Sequence, residues 1–149
     1  HILYIIHEML DFKPQSRKTD ISCALEFLVS ALKRKCTAFL ISDFYARKSF
    51  EKQMMICSNK HDVVAIQVFD PFAKTLPDVG LMKIMDLETE HEMYIDTSDK
   101  KLRNAHSKYW QEREQELESL FKRSNVDSVA IATNEDYVKS LIHLFIQRS

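Results

Sequence analysis

The sequence predicts an α/β domain built as three layers, in which a parallel sheet carries helices on both faces. Short apolar runs alternate with amphipathic helical patterns along the chain, and this alternation is typical of βαβ units. Three of the apolar runs end in polar residues, as expected of buried parallel strands that reach the edge of their sheet. The 149 residues are enough for one modest core, so residues 1–149 are expected to form a single domain.

The first third of the chain contains two predicted helices and a strand. Apolar residues at helical spacing predict an amphipathic helix at Ile2–Leu10 and another at Ile21–Leu32. Either Thr19 or Asp20 is expected to cap the second helix, since both side chains can accept from its first backbone N–H groups. The apolar run inside Thr37–Ser42 predicts the first strand of the sheet.

The middle third contains a helix, a strand and a hairpin. A third helix is expected at Arg47–Lys60, followed by a second buried strand at Asp62–Phe69. The stretch Asp70–Gly80 has two prolines and the chain's glycine, which predicts a loop. Leu81–Met85 and Glu92–Ile95 alternate weakly between apolar and polar residues and predict a β-hairpin.

The last third contains two helices around a strand. Asp99–Arg123 has a long, highly charged helical pattern, and Ser128–Ala132 predicts the third parallel strand. Apolar residues across Val138–Ile146 then predict a final helix. Thr133 and Asp136 have the spacing of a capping box, so Thr133 is the expected start of that helix.

Composition excludes several classes of function. The formal net charge is −1 and the apolar runs are far shorter than the roughly 20 residues that cross a bilayer. We therefore expect no nucleic acid and no membrane as a partner. Gly80 is the single glycine, which excludes glycine-rich phosphate loops. Three cysteines (Cys23, Cys36 and Cys57) lack metal-ligand spacing, and they are expected to be reduced, buried side chains in a cytoplasmic protein.

Polar residues at the strand ends form the candidate site. Ser42 and Asp43 follow the first predicted strand, Asp70 follows the second and Thr133 follows the third. Because parallel strands end at the same edge of a sheet, these residues are expected to share one edge, where open α/β sheets bind ligands. Carboxylates there could hold Mg²⁺ or Mn²⁺. The alternative is structural: the two aspartates cap loops and Thr133 caps a helix.

Other residues suggest no catalytic machinery. His61 and His143 are expected to be structural, and Tyr109 and Trp110 are expected to pack on the core or its edge. No two histidines have the HxxxH spacing, and no serine or cysteine stands in a nucleophile-elbow context. Spacing alone supports no acid–base pair.

Four stretches of the sequence carry a resemblance to known proteins. SRKTDISCAL followed by TAFLISDF resembles the second half of a von Willebrand factor A-like domain. The segment HDVVAIQVFDPFAKTLPDVGLMKIMDLETE and the later TNEDYVKSLIHLFIQR are similar to the bacterial domain-of-unknown-function family 58. Members of that family resemble partners of MoxR-type AAA ATPases, and the resemblance covers nearly the whole chain.

The resemblance implies a metal site, part of which would lie upstream of this sequence. In von Willebrand A domains three loops hold a metal ion, and Thr19 and Asp43 stand where the second and third loops supply a threonine and an aspartate. The first loop, DxSxS, would lie upstream of His1, so the resemblance implies a domain truncated at its N-terminal side. The metal site is then incomplete here, with no cofactor in this segment, and Mg²⁺ would belong to the intact domain.

The leading functional hypothesis is a non-catalytic protein-interaction module, bacterial and cytoplasmic, served by a MoxR-type AAA ATPase. The rival is a metal-dependent hydrolase that uses Asp43 and Asp70 as ligands. In the fold that the sequence resembles, the first strand lies beside Thr37–Ser42 in the sheet, and it too would lie upstream of His1. Without that strand, Thr37–Ser42 is expected at an edge of the sheet. An apolar edge strand is a template for pairing with another chain, so we expect a homodimer.

Overall fold

The computed structural model describes residues 1–13, 19–46, 48–85 and 91–148. Three predictions fall on other residues and lie outside this description: most of the loop before the second helix, the Arg47 start of the third helix, and the hairpin turn at 86–90. In chain order the elements are α1 (Ile2–Asp11), α2 (Ile21–Ala31), β1 (Thr37–Ser42), α3 (Glu51–Lys60), β2 (Asp62–Phe69), α4 (Pro71–Lys74), β3 (Leu81–Met85), β4 (Glu92–Asp96), α5 (Lys100–Arg123), β5 (Asp127–Ala132) and α6 (Tyr137–Gln147).

The three predicted parallel strands form one sheet, which confirms the α/β architecture. The strand order is β1-β2-β5, with parallel pairing throughout. Ile41 of β1 lies opposite Ile66 of β2, and Ile66 lies opposite Val129 of β5. Strand β1 is therefore an edge strand within the described residues, as predicted. Strands β3 and β4 pair antiparallel as the predicted hairpin.

Different helices cover the two faces of the sheet. On one face, Val63 and Ala65 of β2 belong to a buried cluster with side chains from α2, α3 and α5. On the other face, α6 packs mainly against β5. Its Phe145 ring meets the Phe39 ring of β1 edge-on, with the ring centres 6.1 Å apart. Because successive side chains of a strand point to opposite faces of the sheet, one strand can pack against the helices on both faces.

The last helix and α3 both begin later than predicted, whereas the cap of α2 is one of the two predicted residues. The described residues 48–50 are not helical, and α3 starts at Glu51. The last helix begins at Tyr137, because the Asp136 carboxylate accepts from the backbone N–H of Val138, and Thr133 is not its cap. Asp20, one of the two candidates, caps α2 by accepting from the backbone N–H of Cys23. In α2 and in the last helix, the cap is the residue directly before the first helical turn, where its side chain can reach the free N–H groups.

The predicted loop after β2 contains a short helix. Pro71 opens α4, and its fixed φ suits the first helical position. The Asp70 carboxylate accepts from the backbone N–H of Phe72 at 2.9 Å and caps that turn. Further along, Gly80 has φ +76°, and the buried Thr97 hydroxyl contacts its carbonyl oxygen at 2.7 Å. These contacts fix the start of the β3–β4 hairpin.

Helix α1 forms as predicted, yet none of its side chains is buried. Its apolar residues, including Ile2, Leu3, Met9 and Leu10, are all largely exposed. Among the described helices, none combines the length and apolar character that a membrane span requires. Cys57 is buried, whereas Cys23 is exposed, so the expectation of a buried thiol is wrong for Cys23.

Candidate functional site

The ends of the three parallel strands open into one cleft of about 620 Å³, here called the edge cleft. Three of the predicted edge residues, Asp43, Asp70 and Thr133, line it, while Ser42 lies directly before Asp43. Residues from β2, α4 and α5 complete the lining, together with Tyr45. The lining residues are Asp43, Tyr45, Gln67, Val68, Phe69, Asp70, Ala73, Lys74, His106, Tyr109, Trp110 and Thr133.

Asp43 is held by the tight turn that follows β1. Its Oδ1 atom accepts from the backbone N–H of Tyr45 at 3.0 Å, and the Ser42 hydroxyl lies 3.4 Å from the same atom. The Ser42 hydroxyl oxygen also accepts from the backbone N–H of Phe44 at 3.0 Å. The turn thus fixes the Asp43 carboxylate at the mouth of the cleft.

Phe44 keeps this turn in an unusual backbone conformation. Its φ is +56°, which costs a residue with a side chain roughly 1–2 kcal/mol. The buried ring packs edge-on against Phe121, with the centres 5.0 Å apart. The Arg113 guanidinium donates to the carbonyl oxygens of Phe44 and Ala46. Core packing and these hydrogen bonds together offset the strain, so α5 sets the shape of the turn.

The second aspartate is held in a comparable way. Asp70 Oδ1 accepts from the backbone N–H of Phe72, as the cap of α4. On the neighbouring strand, the backbone N–H of Thr133 donates to the Phe69 carbonyl oxygen at 2.9 Å. Both aspartates therefore shape a turn and also line the cleft. For them, the structural role and the position at a ligand-binding edge, which the sequence left as alternatives, are compatible.

Aromatic side chains form one wall of the edge cleft. Trp110 lies at its centre, with the Tyr45 ring 6.2 Å and the Tyr109 ring 5.9 Å from its own ring. The indole Nε1–H of Trp110 donates to Nε2 of His106 at 3.1 Å. That contact requires an unprotonated Nε2, hence a neutral imidazole. Tyr45 and Tyr109 are both exposed on nearly half of their surface.

One lysine among the described residues lines the cleft, and its charge is compensated. The Lys74 ammonium lies over the Phe69 ring, 3.2 Å from the ring centre, and forms an ion pair with Glu114. A cation above an aromatic face is attracted by the ring's quadrupole. Asp43 and Asp70 therefore contribute the carboxylate charges at the cleft, while Lys74 is paired with a carboxylate of α5.

The residues described do not assemble the metal site that the resemblance implies. Thr19 is exposed and does not line the edge cleft. Within the described residues, no group of three or more His, Cys, Asp or Glu side chains could hold a metal ion. Asp43 alone of the two predicted metal ligands reaches the cleft, so Mg²⁺ lacks a fitting donor set among these residues.

Comparison with known proteins identifies the family. The family model described as "Protein of unknown function DUF58" matches residues 1–116. The chain belongs to this family. An uncharacterized protein of Mycobacterium avium is 24% identical over 135 residues, which cover 91% of this chain and 79% of that protein. An uncharacterized protein of Mycobacterium tuberculosis is 23% identical over 137 residues.

The DUF58 chain spans 42% of the length of that M. tuberculosis relative, and the same holds for a relative from Mycobacterium bovis. No solved structure matches it. The part that matches the family model ends within α5 and contains every residue of the edge cleft except Thr133. Almost all of the edge cleft therefore lies in the segment that matches the family model.

The two histidines singled out in the sequence of the DUF58 chain lie away from the cleft. His61 is buried before β2, at the opposite end of the sheet, and its Nδ1 atom lies 3.5 Å from the Cys36 sulfur. Burial raises the pKa of the nearby Cys57 thiol. His143 is exposed on α6 and is hydrogen-bonded to Gln147.

Sequence reasoning missed part of the site. No motif points to Tyr45, Lys74 or His106, and helical spacing predicts only packing positions for Tyr109 and Trp110. One local signal existed: His106 and Trp110 are four residues apart and so share a face of a helix. Nothing local indicated that this face of α5 would lie across the strand ends.

Proposed function

We propose that this chain is a non-catalytic protein-interaction module, part of a von Willebrand A-like domain, and that a partner protein docks at the edge cleft. The observation that carries the proposal is the exposed aromatic wall around Trp110, set beside two aspartates at the carboxyl ends of the strands. Exposed aromatic residues in a concave site supply most of the binding energy in many protein interfaces.

The rigidity of the site supports recognition. Asp43 and Asp70 are each held by a backbone N–H, and Arg113 fixes the turn between β1 and α3. A site whose side chains are already in place loses less conformational entropy when a partner binds. The geometry therefore favours a preformed docking surface.

The proposed partner is a MoxR-type AAA ATPase, in a bacterial cytoplasm. The resemblance of the DPFAKTLPDVG segment to family 58 supports this choice, as does membership of the family itself. Since the chain spans less than half of its M. tuberculosis relative, the partner of the whole protein is part of the same proposal.

Binding to a purified MoxR-type AAA ATPase tests the proposal. The chain would be immobilised, and ATPase binding measured by surface plasmon resonance for the wild type, Trp110→Ala and Tyr94→Ala. Tyr94 is an exposed hairpin tyrosine outside the cleft and serves as the matched control. Trp110→Ala is expected to weaken binding at least about tenfold, as loss of an aromatic anchor does, and Tyr94→Ala to leave it unchanged. Circular dichroism would verify that both variants fold. No binding by the wild type, or equal binding by Trp110→Ala, would contradict the proposal.

A further inference from the structure

We propose that the edge cleft binds a positively charged side chain, arginine or lysine, which the partner presents in an extended segment. This inference rests on the proposed function, because it specifies what the docking partner places in the same cleft. Three features of the lining carry it: the charge of the rim, the aromatic wall and the size of the cleft.

Among the residues that the structure describes, no cation pairs with the two aspartates of the cleft. Asp43 and Asp70 line the cleft, and their described hydrogen bonds come from uncharged backbone N–H groups and a hydroxyl. The described cations nearby have other partners. Lys74 is paired with Glu114 and stacked on Phe69, and Arg113 donates to two backbone carbonyl oxygens behind the wall. His106 is neutral in its hydrogen bond with Trp110.

The aromatic wall favours the same occupant. Trp110, Tyr45 and Tyr109 present partly exposed rings beside the carboxylates. A cation over such a ring gains from the ring's quadrupole, and tryptophan is the strongest partner for it. The Lys74–Phe69 contact shows this interaction already in place within the cleft.

Other occupants fit less well. A carboxylate or phosphate would be repelled by Asp43 and Asp70. An aliphatic side chain would cover the rings but would bury the charge of the two carboxylates without a counter-ion, which is costly. A guanidinium satisfies both features, because it stacks on a ring while donating to a carboxylate in its plane. The cleft volume of about 620 Å³ lies within the range of small-ligand sites and has room for the flanking residues of a peptide.

The protein's single tryptophan allows a direct test, because all tryptophan emission arises from the cleft. The chain would be titrated with four blocked pentapeptides, Gly-Ser-X-Ser-Gly, in which X is arginine, lysine, glutamate or leucine. The arginine and lysine peptides are expected to change the emission of Trp110 with saturation, the arginine peptide at lower concentration. Equal or tighter binding of the leucine or glutamate peptide would overturn the proposal.

Matched variants locate the interaction. Asp43→Asn and Asp70→Asn remove the charges but keep a side-chain oxygen for the backbone hydrogen bonds. Each is expected to weaken binding of the arginine peptide about tenfold, since each removes a charge-assisted contact. The control is Asp99→Asn, which makes the same change at the cap of α5 and outside the cleft. Unchanged affinity in Asp43→Asn and Asp70→Asn, or an equal loss in Asp99→Asn, would contradict the assignment.

The same variants separate this inference from the proposed function. If the ATPase requires Trp110 but binds Asp43→Asn and Asp70→Asn as tightly as the wild type, the docking surface stands and the cationic anchor is wrong. If the arginine peptide binds in an aspartate-dependent way and the ATPase does not bind at all, the cation site stands and the proposed partner is wrong.

Discussion

Strands β1 and β2 are neighbours of similar apolar character, but they are buried to very different degrees. Ile66 of β2 is 9% exposed, while Ile41, directly opposite it on β1, is 65% exposed. Phe39 of β1 is 49% exposed, and Val64 opposite it is fully buried. All four side chains lie on the same face of the sheet, because paired residues of adjacent strands point the same way.

The position of α6 accounts for the difference. Arg148, directly after this helix, forms ion pairs with Asp62 at the start of β2 and with Asp127 at the start of β5. Both pairs hold α6 over β2 and β5, and its Phe145 reaches β1 at Phe39. The rest of that face of β1 is left exposed, and Ile146 of α6 is exposed as well. An apolar strand sequence thus specifies a strand, and its burial depends on which helix is placed above it.

The largest expected effect is the difference in stability between truncating Ile66 and truncating Ile41, which lie opposite each other in the sheet. Ile66→Ala is expected to lower the free energy of unfolding by about 2–5 kcal/mol, because it leaves a cavity in a packed interior. In the monomer, Ile41→Ala should change it by no more than about 0.5 kcal/mol, since that side chain is largely in solvent there. Urea denaturation of both variants, at protein concentrations where sedimentation shows a monomer, measures the difference. Similar losses in the two variants would show that the face of β1 is covered within the monomer.

The second prediction concerns what covers β1. We expect the chain to self-associate as a homodimer through Ala38–Ile41 and the apolar faces of α1 and α2. Ile41→Lys should weaken self-association on the order of 100-fold, because a two-fold contact brings both lysines together and like charges cost several kcal/mol there. Leu81→Lys, at an exposed hairpin position, is the control. Sedimentation equilibrium measures the association constant, and a wild type that stays monomeric at high concentration would contradict the prediction.

A smaller effect on stability is expected at the ion pair between Asp62 and Arg148, the residue that follows α6. The Arg148 guanidinium lowers the pKa of the Asp62 carboxyl mainly through a hydrogen bond; burial opposes this, and the Thr37 hydroxyl adds to it. A lowered folded-state pKa means that Asp62 stabilises the fold above its unfolded pKa, near 3.9, and that this contribution is lost as the pH falls through the folded value.

Asp62→Asn should therefore destabilise the protein near neutral pH by about 0.5–1 kcal/mol, a modest loss because the ion pair is partly exposed to solvent. The difference from the wild type should shrink as the pH falls below about 4. Denaturation midpoints measured across the acid range provide the data. The same difference at pH 3 as at pH 7 would rule out the Arg148 pairing as its source.

The smallest expected signal is metal binding at the end of β1. Thr19 and Asp43 supply too few ligands for tight binding, since Mg²⁺ requires near-octahedral oxygen coordination. Calorimetric titration with Mg²⁺ and Mn²⁺ should show no micromolar binding. Micromolar binding that disappears in Asp43→Ala would show that the edge of the sheet holds a more complete site.

Part of the candidate site was predictable from the sequence for a clear physical reason. Asp43, Asp70 and Thr133 each follow an apolar run, and parallel strands must end at one edge, so their convergence follows from strand direction. The helix that Thr133 was expected to cap starts three residues later than predicted, because Asp136 stands next to the first turn and accepts from Val138. Several side chains can serve as a cap, and only the backbone path selects one.

The order and type of the elements follow from local periodicity, which depends on each residue and its near neighbours. The apolar spacing of α1, α2 and α5 and the apolar runs of the three parallel strands specify those elements without long-range information. Tertiary packing alone places Tyr45, Lys74 and His106 around Trp110, covers β2 and leaves β1 exposed. The reason is that periodicity marks a face as apolar, whereas the helix or strand that meets this face can lie far away along the chain.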